Sequence, residues 1–226
     1  MKITFLTLFP DIMRCYFGDS ILRRAIEREL FSVEFVDFRD FSKDRYNKVD
    51  KPKVGGGAGM LLEPQPLADA IEAVRTSESW MIFLTPVAKR FVQNDAKRLA
   101  RKKHIIFVCG RYEGFDERLI ELYADEVLSL GDFILTGGEL AAMAMTDAIV
   151  RNIPGVLGNE ASLAEESFEG ELLEAPAFTK PDEFRGRVIV KEFLKGNHSK
   201  ISALKYDMAV ARTKYYRPDK RIADEK

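Results

Sequence analysis

Apolar residues along this chain follow two alternating patterns. Short, nearly unbroken apolar runs are typical of buried strands, whereas stretches in which apolar residues recur every three or four positions are typical of helices. The runs predict strands at residues 3–8, 33–38, 81–84, 105–109 and 126–130. The periodic stretches predict helices at residues 20–30, 66–75, 92–102, 115–123 and 140–151. Since strands alternate with helices, we expect an α/β fold with a mostly parallel sheet covered on both faces.

A long loop, residues 39–63, interrupts this alternation. It is rich in Lys, Asp and Gly and contains the run VGGGAGM at residues 54–60. Loops of this length inside compact domains are usually functional or disordered. A flexible flap explains the glycines as well as a binding site does. In a binding site, they would let the main chain approach a flat ligand without interference from side chains.

The composition changes after residue 158. Residues 159–175 contain six glutamates and no Lys or Arg, which predicts a mobile linker. Residues 180–221 contain twelve Lys or Arg against five Asp or Glu. One face of a helix is marked there by Ile201, Leu204, Met208 and Ala211. We therefore expect an α/β domain at 1–158, a linker at 159–175 and a small basic helical domain at 176–226.

The bulk properties exclude several classes of protein. The net charge of −1 does not indicate nucleic-acid binding, so a phosphate-binding surface must come from local clustering, as in the basic C-terminal region. Two Cys and two His are too few for a disulfide framework or a Cys/His zinc site, and we predict no metal site from the residues. No segment approaches the ~20 apolar residues that a membrane span needs. The N-terminus lacks a signal-peptide cleavage pattern, so we expect a cytoplasmic protein without a membrane partner.

The common nucleotide-binding signatures are missing. GGGAG does not satisfy the dinucleotide pattern G-x-G-x-x-G, and no Gly is followed by Lys, so the chain has no P-loop. We find neither a nucleophile elbow nor H-E-x-x-H. The α/β pattern therefore does not indicate a dinucleotide enzyme or a P-loop NTPase.

Two segments place glycines and carboxylates where a buried helix would have leucines. CGRYEGFDER spans residues 109–118 and LGDFILTGGEL spans residues 130–140. Either segment alone is best interpreted as tight turns. Because each lies at the end of a predicted strand, the two together predict a small-molecule pocket built largely from main chain.

These two loops, the GGGAGM run and the segment GNHSKI at residues 196–201 resemble one family along nearly the whole chain. That family is the bacterial tRNA (guanine-N1)-methyltransferases of the SPOUT class. The resemblance implies a trefoil knot toward the C-terminal end of the α/β domain, whose loops hold S-adenosylmethionine. The implied cofactor-binding residues are Leu84, Thr85, Pro86, Gly110, Tyr112, Glu113, Gly114, Ser129, Leu130, Gly131, Phe133, Leu135, Gly137 and Gly138. In the first of these loops, Val87 and Ala88 replace the Gln-Gly of the family.

The same resemblance implies a guanine site and three catalytic residues. The implied substrate-binding residues are Gly55, Gly56, Gly57, Gly59, Met60, Ser167 and His198, and the implied catalytic residues are Asp50, Arg151 and Glu166. The chain departs from the family pattern at Lys51, where the family has a second acid, and at Lys53, where it has Pro. Glu166 stands where the family strongly favours Asp as the general base.

The chemistry of guanine gives two of these residues specific roles. Methylation of N1 requires loss of the N1 proton, and negative charge then accumulates on O6. A guanidinium aimed at O6, from Arg151, would stabilise that charge, although a lone Arg at a helix end usually serves only the helix dipole. Glu166 would accept the proton, although six glutamates in a linker are normally just a solvated run.

The resemblance also implies partners. It implies tRNA as the substrate and a homodimer, in which the linker and C-terminal domain of one subunit complete the cofactor pocket of the other. The family is reported to use Mg²⁺, for which the sequence offers no ligand cluster. Two alternatives remain open: another SPOUT enzyme, such as a ribose 2′-O-methyltransferase, and a non-catalytic RNA-binding protein. A ribose hydroxyl needs no purine-edge reader, so the first alternative leaves the GGGAGM loop without a role.

Overall fold

The computed structural model describes residues 1–159 and 166–220 and divides the chain into two compact units, Met1–Gly158 and Asn159–Lys226. The strands of the first unit are β1 (Lys2–Leu6), β2 (Ser32–Val36), β3 (Asp50–Pro52), β4 (Met60–Leu62), β5 (Ser79–Arg90), β6 (His104–Cys109) and β7 (Glu126–Ser129). Its helices are α1 (Pro10–Phe17), α2 (Ser20–Glu27), α3 (Pro64–Val74), α4 (Gln93–Leu99), α5 (Glu117–Tyr123) and α6 (Glu139–Val150), with a 3₁₀ turn at Phe38–Phe41.

Five strands form one sheet in the order β2-β1-β6-β5-β7, and every pair within it is parallel. Side chains of the central strands alternate between two buried clusters, because successive residues of a strand point to opposite faces. In β6, Ile105 and Phe107 belong to one cluster, and Ile106 and Val108 belong to the other. The predicted α/β fold with a mostly parallel, doubly covered sheet is confirmed.

Two predictions about the first unit are wrong in detail. Helix α1 was not predicted. Pro10, two residues after the first predicted strand, lies in the first turn of this helix, where its missing N–H costs nothing. The loop 39–63 is also more ordered than expected. It contains the 3₁₀ turn and an antiparallel hairpin, in which Asp50 pairs with Leu62 and Pro52 with Met60. The glycine run therefore forms the tip of the β3–β4 hairpin.

The second unit contains a short hairpin, β8 (Glu183–Phe184) with β9 (Arg187–Val188), followed by α7 (Lys191–Leu194) and α8 (His198–Tyr216). The predicted apolar face of α8 is partly wrong, since Ala211 is exposed while Ala209 and Thr213 are buried. No helix within residues 1–159 and 166–220 is long and apolar enough to cross a membrane.

Part of the predicted linker, residues 160–165, lies outside the described residues. The part that follows contacts α8. The Leu173 N–H donates to Thr213 Oγ1 at 2.8 Å, and Thr213 Oγ1 in turn donates to the Ala209 carbonyl at 2.7 Å. This pairing explains why a polar Thr is buried in α8. The division of the chain into domain, linker and basic domain stays a prediction.

Candidate functional site

A cavity of about 340 Å³ opens at the carboxyl ends of β5, β6 and β7. All fourteen residues predicted to bind a cofactor line it. They come from three segments: residues 84–87, at the irregularity of β5 between Leu84 and Lys89, and residues 110–115 and 128–138, at the ends of β6 and β7. In open parallel sheets, ligands bind outside the carboxyl ends of the strands, so the position suits a binding site. The three segments, separated by 22 and by 12 intervening residues, are thus brought together around one space.

The main chain of two segments meets at Gly138, which precedes α6. Its N–H donates to the Gly110 carbonyl at 2.9 Å. A Cβ atom at position 138 would lie 2.9 Å from Cys109 Cα and 3.0 Å from Gly110 N. Both neighbours are backbone atoms, which cannot swing aside. A side chain at 138 is therefore incompatible with this contact.

The β3–β4 hairpin lies directly beside the second segment. Glu113 N–H donates to the Met60 carbonyl at 2.9 Å, and Leu62 N–H donates to the Gly114 carbonyl at 3.1 Å. Lys53 Nζ lies 3.0 Å from Glu113 Oε2. The predicted guanine-binding glycines and the predicted cofactor-binding residues thus occur in adjacent, hydrogen-bonded loops. The sequence placed them 50 residues apart and gave no indication of this pairing.

The two lysines that depart from the family pattern have carboxylate partners. Lys53 contacts Glu113, and Lys51 Nζ lies 2.5 Å from Glu63 Oε1. The positive charge of Lys51, which stands where the family has an acid, is therefore balanced by the Glu63 carboxylate. Near Asp50, burial raises the pKa of Tyr112, and the Asp50 carboxylate raises it further. The phenol stays protonated, so it can serve as a hydrogen-bond donor.

A buried ion pair underlies the cavity. Glu139, only 2% exposed, is the first residue of α6. Its Oε2 lies 2.9 Å from Arg111 Nε, and its Oε1 accepts a hydrogen bond from Thr7 Oγ1 at 2.8 Å. Arg111 and Thr7 were not among the predicted site residues. Arg111 sits between the predicted Gly110 and Tyr112, and the loop spacing alone could have suggested it.

Burial raises the pKa of the Cys109 thiol well above its usual range, and the Glu139 carboxylate raises it further. Because the thiolate is the nucleophile, this cysteine is chemically inert at neutral pH.

The predicted catalytic residues occupy different units. Asp50 begins β3, and Arg151 caps the C-terminus of α6 with its N–H bonded to the Asp147 carbonyl at 3.2 Å. Glu166 belongs to the second unit, where it lines a separate cavity with Phe178 and Lys180.

The structure shows a local side-chain contact for one of the two substrate-binding residues predicted in the second unit. Ser167 Oγ accepts a hydrogen bond from Glu174 N–H at 3.0 Å. His198 is the first residue of α8, next to the cap residue Asn197.

Seven residues that line the cavity of the first unit were not predicted. They are Val87, Arg111, Phe115, Leu128, Ile134, Thr136 and Ala141. Most of them are neighbours of predicted residues in the same loops, so a prediction that included every residue of each loop would have contained them.

Within the described residues, no group of three or more His, Cys, Asp or Glu side chains is arranged to hold a metal ion. Glu113 is instead paired with Lys53, and Glu139 with Arg111. No Mg²⁺ site is thus identified among the described residues, and no chemical step below depends on a metal.

The fold and the cavity define an α/β protein with a small-molecule site at the carboxyl edge of a parallel sheet. The family described as tRNA (Guanine-1)-methyltransferase TrmD matches residues 1–222. A tRNA (guanine-N(1)-)-methyltransferase of Nitratiruptor sp. is 74% identical over 226 residues, which cover 100% of both chains. Proteins of the same name are 57% identical over 221 residues in Sulfurovum sp. (97% of both chains) and 58% identical over 221 residues in Sulfurimonas denitrificans (97% of this chain, 96% of the other). This chain belongs to the tRNA (guanine-N1)-methyltransferase family, which confirms the family predicted from its sequence.

Proposed function

We propose that this protein transfers a methyl group from S-adenosylmethionine to N1 of the tRNA guanine immediately 3′ to the anticodon. Membership of the family gives the reaction class and implies the methyl donor. The observation that carries the proposal for this chain is the cavity at the ends of β5, β6 and β7. Its lining contains every residue that the resemblance assigns to the donor.

The cavity suits a nucleoside ligand. Its volume of about 340 Å³ lies within the range of ~300–1,000 Å³ that small-molecule sites usually have. Main-chain groups near Leu130, Phe133 and Leu135 would hydrogen-bond the adenine, while Tyr112 and Glu113 would lie toward the ribose and the sulfonium. When bound, S-adenosylmethionine supplies a methyl group made electrophilic by its sulfonium.

The path of the chain supports the proposed trefoil knot. Leu84 and Lys89 of β5 both pair with Leu128 of β7, so residues 85–88 form a loop out of the sheet. The segment that leaves β7 reaches β6, where Gly138 bonds to Gly110. Because β5 lies between β6 and β7, that segment passes the end of β5 beside this loop. We propose that this crossing is the knot.

The β3–β4 hairpin would form the guanine side of the site. Its glycine tip, residues 55–59, lies between β3 and Met60. The Met60 carbonyl accepts a hydrogen bond from Glu113, which lines the cavity. A chain without side chains lets the backbone approach a flat base closely. Asp50 at the start of the hairpin, beside Tyr112, would contribute to the same site.

Catalysis would combine removal of the N1 proton with stabilisation of charge on O6. The Glu166 carboxylate would accept the proton while the N1–carbon bond forms and the carbon–sulfur bond breaks. The Arg151 guanidinium would hold the charge that develops on O6, where a fixed cation lowers the barrier most. Since guanine N1 is a much weaker acid than a carboxylic acid, neither residue suffices alone.

Glu166, Ser167 and His198 belong to the second unit, whereas Arg151 and the cavity belong to the first. We propose that the protein is a homodimer, in which the second unit of one copy completes the site of the other. The Lys and Arg residues at 180–221, as a small basic helical domain, would contact the tRNA backbone, which is polyanionic.

Methylation of bulk tRNA tests the proposal. The protein is incubated with S-adenosylmethionine and unmodified tRNA, and the product is mapped by nuclease digestion and mass spectrometry. We expect 1-methylguanosine immediately 3′ to the anticodon. A methyl group on a ribose would support a 2′-O-methyltransferase instead, and tRNA binding without methyl transfer would support an RNA-binding protein.

A further inference from the structure

The charges around the donor cavity are arranged in compensated pairs. Among the described residues that line the cavity, Arg111 and Glu113 carry charge. Glu113 is matched by Lys53 across the hairpin contact, at 3.0 Å. Arg111 is matched from behind the cavity wall by Glu139, at 2.9 Å. The lining therefore has no uncompensated positive charge.

The Arg111 side chain is fixed in place from several directions. Its guanidinium lies over the Phe9 ring, with Cζ 4.2 Å from the ring centroid, and its Nη1 donates to the Thr136 carbonyl at 3.3 Å. It also passes under Gly137, where a Cβ atom would collide with both Arg111 and Glu139. Arg111 thus joins the loop after β6 to the loop after β7, and these contacts hold the cation beside the cavity.

The contact between Arg111 and Glu139 is mainly electrostatic. Arg111 Nε and Glu139 Oε2 are 2.9 Å apart, yet neither atom has an aligned hydrogen-bond partner. The Glu139 carboxylate therefore acts on Arg111 mainly through its negative charge and less through a directional hydrogen bond. A charge pair of this kind is costly to bury, because both ions lose water. Its presence behind a ligand cavity therefore calls for a role beyond stability.

We propose that Glu139 neutralises Arg111 so that the cavity accepts a cationic ligand. This inference rests on the proposed function, since the methyl donor carries a sulfonium whereas the product S-adenosylhomocysteine is an uncharged thioether. Without Glu139, the guanidinium, which stays protonated in proteins, would repel the sulfonium. Glu139 is thus a positioning and specificity residue that sets the preference for donor over product.

Calorimetry with both ligands tests this role. We measure Kd for S-adenosylmethionine and for S-adenosylhomocysteine in the full chain and in Glu139→Gln, which keeps size and removes charge. We expect the donor to lose roughly tenfold more affinity than the product, the effect of one unmatched unit charge in a partly buried site. In the double variant Arg111→Met/Glu139→Gln, the ratio of the two constants should return toward the wild-type value.

Asp95→Asn is the matched control. Asp95 is a carboxylate with 4% exposure, paired with Lys89 at 2.9 Å and Arg98 at 3.2 Å, and it does not line the cavity. Its substitution should leave the ratio of the constants unchanged. An equal shift in the control would overturn the proposal, because it would show that loss of any buried charge has this effect.

Other outcomes separate the inference from the proposed function. Equal weakening of both ligands in Glu139→Gln would show that Glu139 only supports the loops, which overturns the inference alone. If the unaltered protein binds neither ligand, the proposed function fails and the inference fails with it. Should Glu139→Gln not fold, Arg111→Met carries the test. Loss of the cation must keep or increase the preference for the donor, and a shift toward the product would refute the proposal.

Discussion

Gly138 donates its N–H to the Gly110 carbonyl at 2.9 Å, and its missing side chain leaves room for the backbone of Cys109 and Gly110. The sequence suggested that such glycines let the main chain approach a bound ligand. At position 138 the close approach is between two segments of the protein itself. The glycine therefore supports the wall of the cavity before any ligand binds.

Replacing Gly138 by Val should accordingly reduce stability as well as donor affinity. A Cβ atom there meets backbone, and overpacking of this kind typically costs about 1–3 kcal/mol. Urea unfolding would measure the loss, and calorimetry would measure donor binding. Gly158→Val is the control, since no atom lies within 4 Å of a Cβ at that position. Unchanged stability of the Gly138 variant would contradict the contact.

Replacing Arg151 by Ala should lower turnover far more than it weakens donor binding. If the guanidinium stabilises charge on O6, the loss appears in the transition state, with turnover reduced by about 10²–10³. Single-turnover methylation of tRNA and calorimetry with the donor would separate the two effects. Equal losses in both would instead indicate a structural role at the end of α6.

Replacing Glu166 by Gln should reduce turnover by roughly 10²–10⁴ while donor binding survives, because the amide keeps the size but cannot accept a proton. Glu166→Asp restores the residue typical of the family and should retain activity. The assay is single-turnover methylation at saturating donor. A Gln variant near the wild-type rate would show that Glu166 is not the base, and Asp50, Glu165 and Glu169 would be tested next.

Mixing the inactive Arg151→Ala and Glu166→Gln variants should restore part of the activity. If the two residues of one site come from different subunits, a heterodimer contains one site with both residues intact. The experiment requires exchange of subunits, which mass spectrometry of tagged chains would demonstrate. Heterodimers without recovered activity would show that both residues serve one site from one chain.

His104 should make the stability of the protein depend on pH. Burial lowers the pKa of His104 below 6.5, and the charge of Lys2 lowers it further, while Glu34 opposes this shift. The imidazole lies between Thr4 Oγ1 at 2.9 Å and Ser79 Oγ at 2.8 Å. Since Thr4 donates its proton to Glu34, the ring donates from Nε2 to Thr4. In the neutral form, which the lowered pKa favours, Nδ1 accepts from Ser79.

The sign of this dependence follows from the direction of the shift. Neutral His104 contributes its full share to the free energy of unfolding above about pH 6.5, the pKa of histidine in the unfolded chain. This share is lost as the pH falls below that value, because the unfolded chain then binds the proton more readily than the folded protein does. Urea unfolding between about pH 8 and pH 5 would measure the free energy of unfolding. His104→Gln should flatten the decline between pH 7 and pH 5.5; parallel curves for the two proteins would contradict the assignment.

Much of the fold was predictable because local patterns determine it. The five sheet strands are predictable from apolar runs such as the one at residues 105–109. In that run, Ile105 and Phe107 are buried on one face of the sheet, and Ile106 and Val108 are buried on the other. Helix α1 was missed because Pro10 both ends strands and begins helices, and only tertiary packing decides between the two. Ala211 was assigned to the buried face of α8 because periodicity gives a face only to within a residue or two.

The site divides in the same way. The existence of the cavity was predictable from the glycine-rich loops at strand ends, where Gly110 and Gly137 are local signals, whereas its individual lining residues came from the resemblance to the family. The partnership of Arg111 with Glu139 could not be predicted, because it joins residues 28 positions apart through a contact that only the folded sheet creates. Likewise, no property of the sequence indicated that the hairpin at Met60 would bond to Glu113.

That last contact has an energetic consequence for how the two ligands of the enzyme influence each other. Glu113 and Gly114 line the cavity. Their backbone also forms hydrogen bonds with the backbone of Met60 and Leu62 in the β3–β4 hairpin. If the donor binds one loop and guanine binds the other, as we propose, a ligand that orders one loop lowers the entropic cost of ordering the other. By thermodynamic reciprocity, the factor by which the donor tightens guanine binding must equal the factor by which guanine tightens donor binding.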